Sequence, residues 1–223
     1  TWERAALDNN LRMLSAYPIC FLYPRGLNME KYAQAHPQAE LVEVSPDWLG
    51  TKRGIQGYNE MMMSKSFYDL FSDCEYILIC HTDAWIFRDE LAEWCAKGYD
   101  LVAAPWPMRP RYRHFPLKQF IWLKGKISEF GGGISRVRMY GRIGNGGLCL
   151  RKVSAFADAC VRYADVVADF NRHPDGMHNE DIFWALVPEG FCYPDVETAM
   201  SFAFDLKPRL CYELNGSRLP MGC

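Results

Sequence analysis

Three short polar clusters interrupt otherwise apolar stretches of this 223-residue chain: His81-Thr82-Asp83, Gly144-Asn145-Gly146-Gly147 and Asn179-Glu180-Asp181. Asp83 follows the apolar run Tyr76 to Cys80, and such a run delivers a carboxylate to the end of a strand, where backbone pairing stops and side chains can converge on a ligand. A hard divalent cation such as Mn²⁺ or Mg²⁺ is held by one or two carboxylates plus substrate phosphate oxygens and water, a role open to Asp83. The same Asp also suits a turn that caps the next segment. The paired glycines let backbone and ligand approach where a Cβ would collide, and Asn145 offers donor and acceptor to a polyhydroxylated ligand. A plain turn uses the same residues. Asp181, in the first turn of an expected helix, faces the positive end of the macrodipole, which favours its ionised form. An ionised Asp beside a sugar hydroxyl can act as general base, although Asp and Glu at this place also simply stabilise a helix start.

The elements that must position these clusters follow from the hydrophobic pattern. Residues 3–16 carry Leu7, Leu11 and Leu14 at helical spacing, and Tyr17 to Tyr23 and Leu41 to Val44 read as strands bounded by prolines. A helical pattern from Ile55 to Phe71, with Met63, Phe67, Leu70 and Phe71 on one face, leads into Tyr76 to Cys80, expected at the centre of a sheet covered on both faces. A helix from about Arg88 to Ala96, stopped by Lys97-Gly98, and a strand Leu101 to Ala104, ended by Pro105-Trp106-Pro107, continue the alternation. That alternation predicts an α/β fold with a mostly parallel sheet and helices on both faces. Further on come a strand Leu148 to Leu150, a helix with Phe156, Cys160, Tyr163 and Val167 on one face, and a loop at Pro174-Asp175-Gly176. Asn179 is the expected N-cap of a helix ended by Pro188, and the tail from Pro194 reads as one short helix with irregular structure.

With 49% hydrophobic residues the chain can bury the core of one large domain. A net charge of -2 argues against a generic polyanion binder. Nine cysteines without a C-x-x-C pair, several inside apolar runs, predict a reducing compartment, and neither a signal-peptide pattern nor a membrane-spanning apolar run is present. The expected location is cytoplasmic, including the inner face of the membrane.

Charge is distributed unevenly. From Arg109 to Arg142 there are nine Lys and Arg against Glu129 alone, a local balance of +8 in a chain of -2, so the remainder carries -10. Phe115, Phe120, Ile121, Trp122 and Leu123 are interleaved, and Gly131-Gly132-Gly133 marks part of the segment as a flexible loop. One reading is a solvated loop; the other is contact with anionic groups, either lipid-linked phosphates or a membrane surface. Nothing resembles a nucleic-acid recognition element, so nucleic acid is not an expected partner.

The order T-D-A-W, L-V-A-A-P-W, G-N-G-G-L-C-L-R and N-E-D-I-F-W resembles the glycosyltransferases of the GT-A fold. More closely, Gly57-Tyr58-Asn59 before the T-D-A-W strand and Tyr212-Glu213-Leu214-Asn215-Gly216 with Leu219-Pro220 near the end resemble a domain family long labelled as of unknown function. The resemblance covers nearly the whole chain. It implies a single GT-A-like domain over 1–223, with a nucleotide-sugar-binding half to about residue 107 and an acceptor-binding half from about 108. It also implies that the first strand and the C-terminal end of the full domain lie outside these residues. His81-Thr82-Asp83 corresponds to the D-x-D motif, of which the second carboxylate is present. By the same resemblance Asp83, Thr82, Trp85, Tyr58 and Asn59 bind the nucleotide-sugar, and His81 and Asp83 hold Mn²⁺ or Mg²⁺. Asn145, Gly146, Gly147, Glu180 and Trp106 contact substrate, and Asp181 is the catalytic base of an inverting transfer.

The expected function is transfer of a hexose from a nucleoside-diphosphate sugar to a glycan or lipid-linked acceptor, in polysaccharide or glycoconjugate synthesis. The alternatives are a non-catalytic sugar-binding or scaffolding module of the same fold and a nucleotidyltransferase. Against the latter, only Pro24-Arg25-Gly26 follows the first visible strand, without the glycine- and lysine-rich loop that cradles phosphates.

Overall fold

The computed structural model describes residues 1–130, 134–173 and 175–223, so the expected Gly131-Gly132-Gly133 loop and Pro174 lie outside the described residues. In chain order the elements begin with α1 (Trp2–Met13), β1 (Ile19–Pro24), α2 (Glu30–Ala35) and β2 (Ala39–Val44). Next come α3 (Ile55–Met62), α4 (Lys65–Asp69), β3 (Tyr76–Cys80), α5 (Leu91–Ala96) and β4 (Leu101–Ala103). The basic segment contains α6 (Leu117–Phe130), flanked by 3₁₀ turns at Pro110–Arg113 and Arg136–Met139. The rest comprises β5 (Leu148–Lys152), α7 (Val153–Arg162), α8 (Ala164–Arg172), α9 (Glu180–Leu186), α10 (Val196–Phe202) and α11 (Pro208–Leu214).

The fold is mixed α/β, but the expected mostly parallel sheet is not what forms. Among the described strands β1 and β2 alone form a parallel ladder, two-stranded, and Ala203 and Gly222 add an isolated parallel bridge. β5 lies between β3 and β4 and is antiparallel to both, with Leu78 opposite Leu150 on one side and Val102 opposite Leu150 on the other. The crossover through α5 keeps β3 and β4 in the same direction, but β5 returns from the far side of the basic segment and takes the central place. Leu148, Cys149, Leu150 and Arg151 of β5 are all buried, as suits a central strand, whereas β3 is half-buried along its length; β4, the other edge, is also buried, with α10 packed against it. β3 is thus an edge of this sheet, not its centre. Because β5 belongs to the second half of the chain and β3 and β4 to the first, the two expected halves share one sheet.

Several element expectations are also corrected. The helix expected over Ile55 to Phe71 breaks at Met63-Ser64, letting Met61, Met62 and Met63 all turn inward with Phe67 and Tyr68. The single helix after β5 is split at Tyr163, the helix expected from Arg88 begins at Leu91, and the tail holds two helices rather than one. Helix α1 buries Ala6 and Asn10; of the expected leucine stripe, Leu14 at its C-cap is buried while Leu7 and Leu11 are half-buried. One core cluster joins α3, α4, β5, α7 and α9 around Phe67, Tyr68, Phe156, Phe183 and Trp184; a second joins α5 and α10 to the other sheet face around Trp94 and Phe202. All nine cysteines are free, and among the described residues no helix is long and apolar enough to cross a membrane.

Candidate functional site

The β3–β5 ladder runs one residue past the end of β3, where the His81 N–H donates to the Gly147 carbonyl at 2.8 Å. This bond lays the His81-Thr82-Asp83 cluster beside the glycine cluster. The turn that follows is fixed from two further directions. Buried Asn10 of α1 donates from Nδ2 to the Ala84 carbonyl at 2.8 Å and accepts the Ile86 N–H at 2.9 Å. Trp85 and Cys223 exchange backbone bonds of 2.8 and 2.9 Å, so the tail zips onto the turn. Asp83 and Thr82 are left exposed on a rigidly held loop, and Trp85 is exposed as well.

A cleft of about 290 Å³ opens there, lined by His81, Asp83, Asn145, Gly147, Asp205 and Cys223, with Ala104, Leu148 and Phe204 among its apolar walls. The tail, expected to be largely irregular, supplies one side of it: Ala203 and Phe204 follow α10 and are tied to Gly222, whose N–H donates to the Phe202 carbonyl at 3.0 Å and whose own carbonyl accepts from the Phe204 N–H at 3.2 Å. Asp205 escaped the sequence reading. Its signal was an Asp closing the apolar stretch Phe202-Ala203-Phe204, much as Asp83 follows the apolar run Tyr76 to Cys80.

Within the cleft wall, Asn145 Oδ1 accepts the Gly147 N–H at 2.8 Å, so the carbonyl holds the turn and the amide Nδ2 is the group left for a ligand. The His81 ring meets the Tyr58 hydroxyl through Nε2 at 2.8 Å. Burial pushes the Tyr58 phenol well up and the His81 imidazole down, so both are neutral at pH 7 and the Tyr58 O–H can donate to Nε2. His81 Nδ1 lies against Gly147, where a Cβ would sit 3.4 Å from it.

Behind the glycine cluster lies a buried ion pair that the sequence reading missed. Arg151, in β5 and 1% exposed, donates from Nη2 to Glu180 Oε2 at 2.8 Å and from Nη1 to the Tyr68 hydroxyl at 2.8 Å, and its guanidinium lies 5.1 Å from the Phe156 ring centroid. The one available hint was a charged residue inside an apolar strand. Glu180 is 2% exposed, and a methyl group on Gly146 would overlap its Oε1, so the carboxylate props the loop from the interior side. Asn59 completes this support: its Oδ1 accepts the Glu180 N–H at 3.2 Å and its Nδ2 donates to Asn179 Oδ1 at 3.0 Å. The N-terminus of α9 is thereby capped from α3, while Asn179 makes no side-chain cap bond of its own.

Trp106 is buried with Ile182 and Ala185 and backs Gly144, where a Cβ would come within 2.8 Å of both the Trp106 ring and the Asp181 carbonyl. Asp181 is half-buried beside this contact and does not line the cleft directly. Its carboxylate accepts the Ile182 N–H at 2.8 Å. Burial, followed by the charge of Glu180, raises its pKa to about 7, with Asp205 of the cleft contributing in the same direction. The macrodipole argument predicted a readily ionised carboxylate; desolvation outweighs it, and Asp181 titrates near neutrality.

A cation must therefore fit the donors present. Among the described residues no group of three or more His, Cys, Asp or Glu side chains is gathered to hold a metal. Asp83 and Asp205 line one cleft, and two carboxylates completed by substrate phosphate oxygens and water are the donor set that Mg²⁺ or Mn²⁺ accepts.

Residues 38–223 match the family described as protein of unknown function, DUF5672. The chain belongs to this family. No curated protein and no solved structure matches it. The matched span contains every residue of the cleft and of the ion pair behind it. It excludes β1 and α1, and with them Asn10, whose two bonds steady the Asp83 turn.

Proposed function

We propose that this member of the family is an inverting glycosyltransferase of GT-A type that moves a hexose from a nucleoside-diphosphate sugar to a hydroxyl acceptor. The observation that carries the reading is the convergence of Asp83, Asp205, His81 and Asn145 on one cleft at the end of β3, with a carboxylate titrating near neutrality behind it. In the transfer, the acceptor oxygen attacks the anomeric carbon, the bond from that carbon to the diphosphate oxygen breaks, and its electron pair leaves with the diphosphate. The base for the acceptor proton is Asp181, whose carboxylate lies behind the cleft wall and so takes the proton by way of water, a role that suits a group titrating near pH 7. A divalent cation at Asp83 and Asp205 would supply positive charge to offset the charge developing on the diphosphate. Asn145 Nδ2 donates to sugar or phosphate oxygen, and the neutral Tyr58–His81 pair keeps that side of the cleft uncharged.

Calorimetry with UDP and GDP, with and without Mn²⁺, followed by turnover of nucleotide-sugars, tests the reading. Nucleotide binding and release of free diphosphonucleoside with an inverted product are expected. If neither nucleotide binds, the cleft is that of a sugar-binding module and the enzymatic reading fails. If the product keeps the anomeric configuration of the donor, the inverting mechanism fails.

A further inference from the structure

Helix α6 spans Leu117–Phe130 and touches the rest of the protein through a narrow side. Gly125 is buried: a Cβ there would come within 3.4 Å of Val137 in the 3₁₀ turn Arg136–Met139, and Ile121 and Ser128, one turn to either side on the same face, are half-buried. At 100° per residue Phe120, Leu123, Ile127 and Phe130 fall together on the opposite side. Phe120, Leu123 and Ile127 are each more than half exposed, and Phe130 is 97% exposed. This is the reverse of an ordinary surface helix, whose apolar stripe faces the core. The stripe is bordered by Lys124, and Trp122, also exposed, lies between the stripe and the docked side; Lys118, exposed near the start of the helix, falls beside Gly125. Just before the helix, the exposed Arg109, Arg111 and Arg113 lead to Phe115, which is exposed as well.

An apolar face pointing outward, rimmed by cations and aromatics, is the pattern of a helix lying in the plane of a lipid interface. We propose that α6 and the basic turn before it form an anionic-membrane docking surface, with the Phe120, Leu123, Ile127 and Phe130 side chains inserted at the headgroup boundary and the cations over lipid phosphates. Charge decides the occupant. The segment from 109 to 142 carries +8 while the remainder of the chain carries -10, so a negatively charged surface draws this face toward itself and repels the rest of the molecule. A second copy of the chain presents the same positive segment, and apposition of two such faces sets like charges against each other. Docking holds the protein by one side only, because no described helix can span the bilayer.

Flotation with liposomes of phosphatidylcholine, alone and mixed with phosphatidylglycerol, tests the surface without any donor or acceptor. The protein is expected to float with the mixed vesicles at low salt, and to be released as salt is raised. Lys124→Ala with Arg113→Ala lowers the partition coefficient by roughly fivefold per residue. Leu123→Ser with Ile127→Ser lowers it at least as far while leaving the salt dependence of the residual binding intact. These side chains are exposed, so circular dichroism and nucleotide binding serve as controls that the variants remain folded. Equal binding to neutral and mixed vesicles, or none to either, overturns the proposal. So does self-association in solution that the apolar pair of substitutions abolishes with no vesicle binding, which would assign the face to a protein contact.

Discussion

Replacing Arg151 by Met removes the guanidinium from the ion pair behind the glycine cluster while keeping an apolar side chain of similar reach. Both partners have side chains only 2% and 3% exposed, so water cannot take over their solvation. The substitution strands the Glu180 carboxylate and removes the Arg151 donor to the Tyr68 hydroxyl, which still donates to the Met62 carbonyl at 2.7 Å. Removing one member of a buried pair costs roughly 3–5 kcal/mol. In a chain of this length each kcal/mol lowers Tm by about 2–4 °C, so a fall of roughly 6–20 °C is expected. Adding Glu180→Gln removes the stranded charge, and a double-mutant cycle by urea unfolding should return a coupling of about 1–3 kcal/mol. The single variant should also weaken ligand binding in the cleft, because Glu180 props Gly146 from behind. Should Arg151→Met unfold within about 1 kcal/mol of the parent, or the cycle be additive, the pair does not hold the site together.

Asp181→Asn is expected to lower turnover by about 10²–10⁴-fold with little change in nucleotide affinity, measured by product formation and calorimetry. In the parent, turnover should rise with pH through about 7, the pKa to which burial lifts Asp181, since the proton-accepting form exists above it. Stability runs the other way. A carboxylate whose folded pKa lies above its unfolded value binds more protons when folded, so its contribution is full below the unfolded value near 3.8 and is lost as pH rises through about 7; urea titrations should show that decline flattened in Asp181→Asn. Gly146→Ala should destabilise by about 1–3 kcal/mol in thermal melts, because the methyl meets a carboxylate that Arg151 keeps from moving. Asp83→Asn should lower nucleotide affinity tenfold or more with Mn²⁺ present and little without it, by calorimetry, on the scale of a lost charge-assisted ligand at about 1.4 kcal/mol or more.

What the sequence determined by itself was local. The strand Tyr76–Cys80 has the bounds that its apolar run predicts, and α9 starts after Asn179 as its polar cluster predicts, because alternation, capping and turn chemistry act over a few residues. The polar clusters at 81–83 and 144–147 were legible as places where apolar elements stop. Only the tertiary structure decided what those ends face. The antiparallel insertion of β5 between β3 and β4 depends on which strand has two faces and two edges to bury, a property of the whole sheet. The basic segment read as a loop because its apolar residues face solvent in α6, so its pattern matches no core. The macrodipole reading of Asp181 used a local field, whereas its ionisation is governed by desolvation and by Glu180 and Asp205, and desolvation exists only once the chain has packed. Asp205 reached the cleft, and Arg151 reached Glu180, across contacts between segments far apart in the chain, and no spacing along a sequence encodes the register in which distant segments meet.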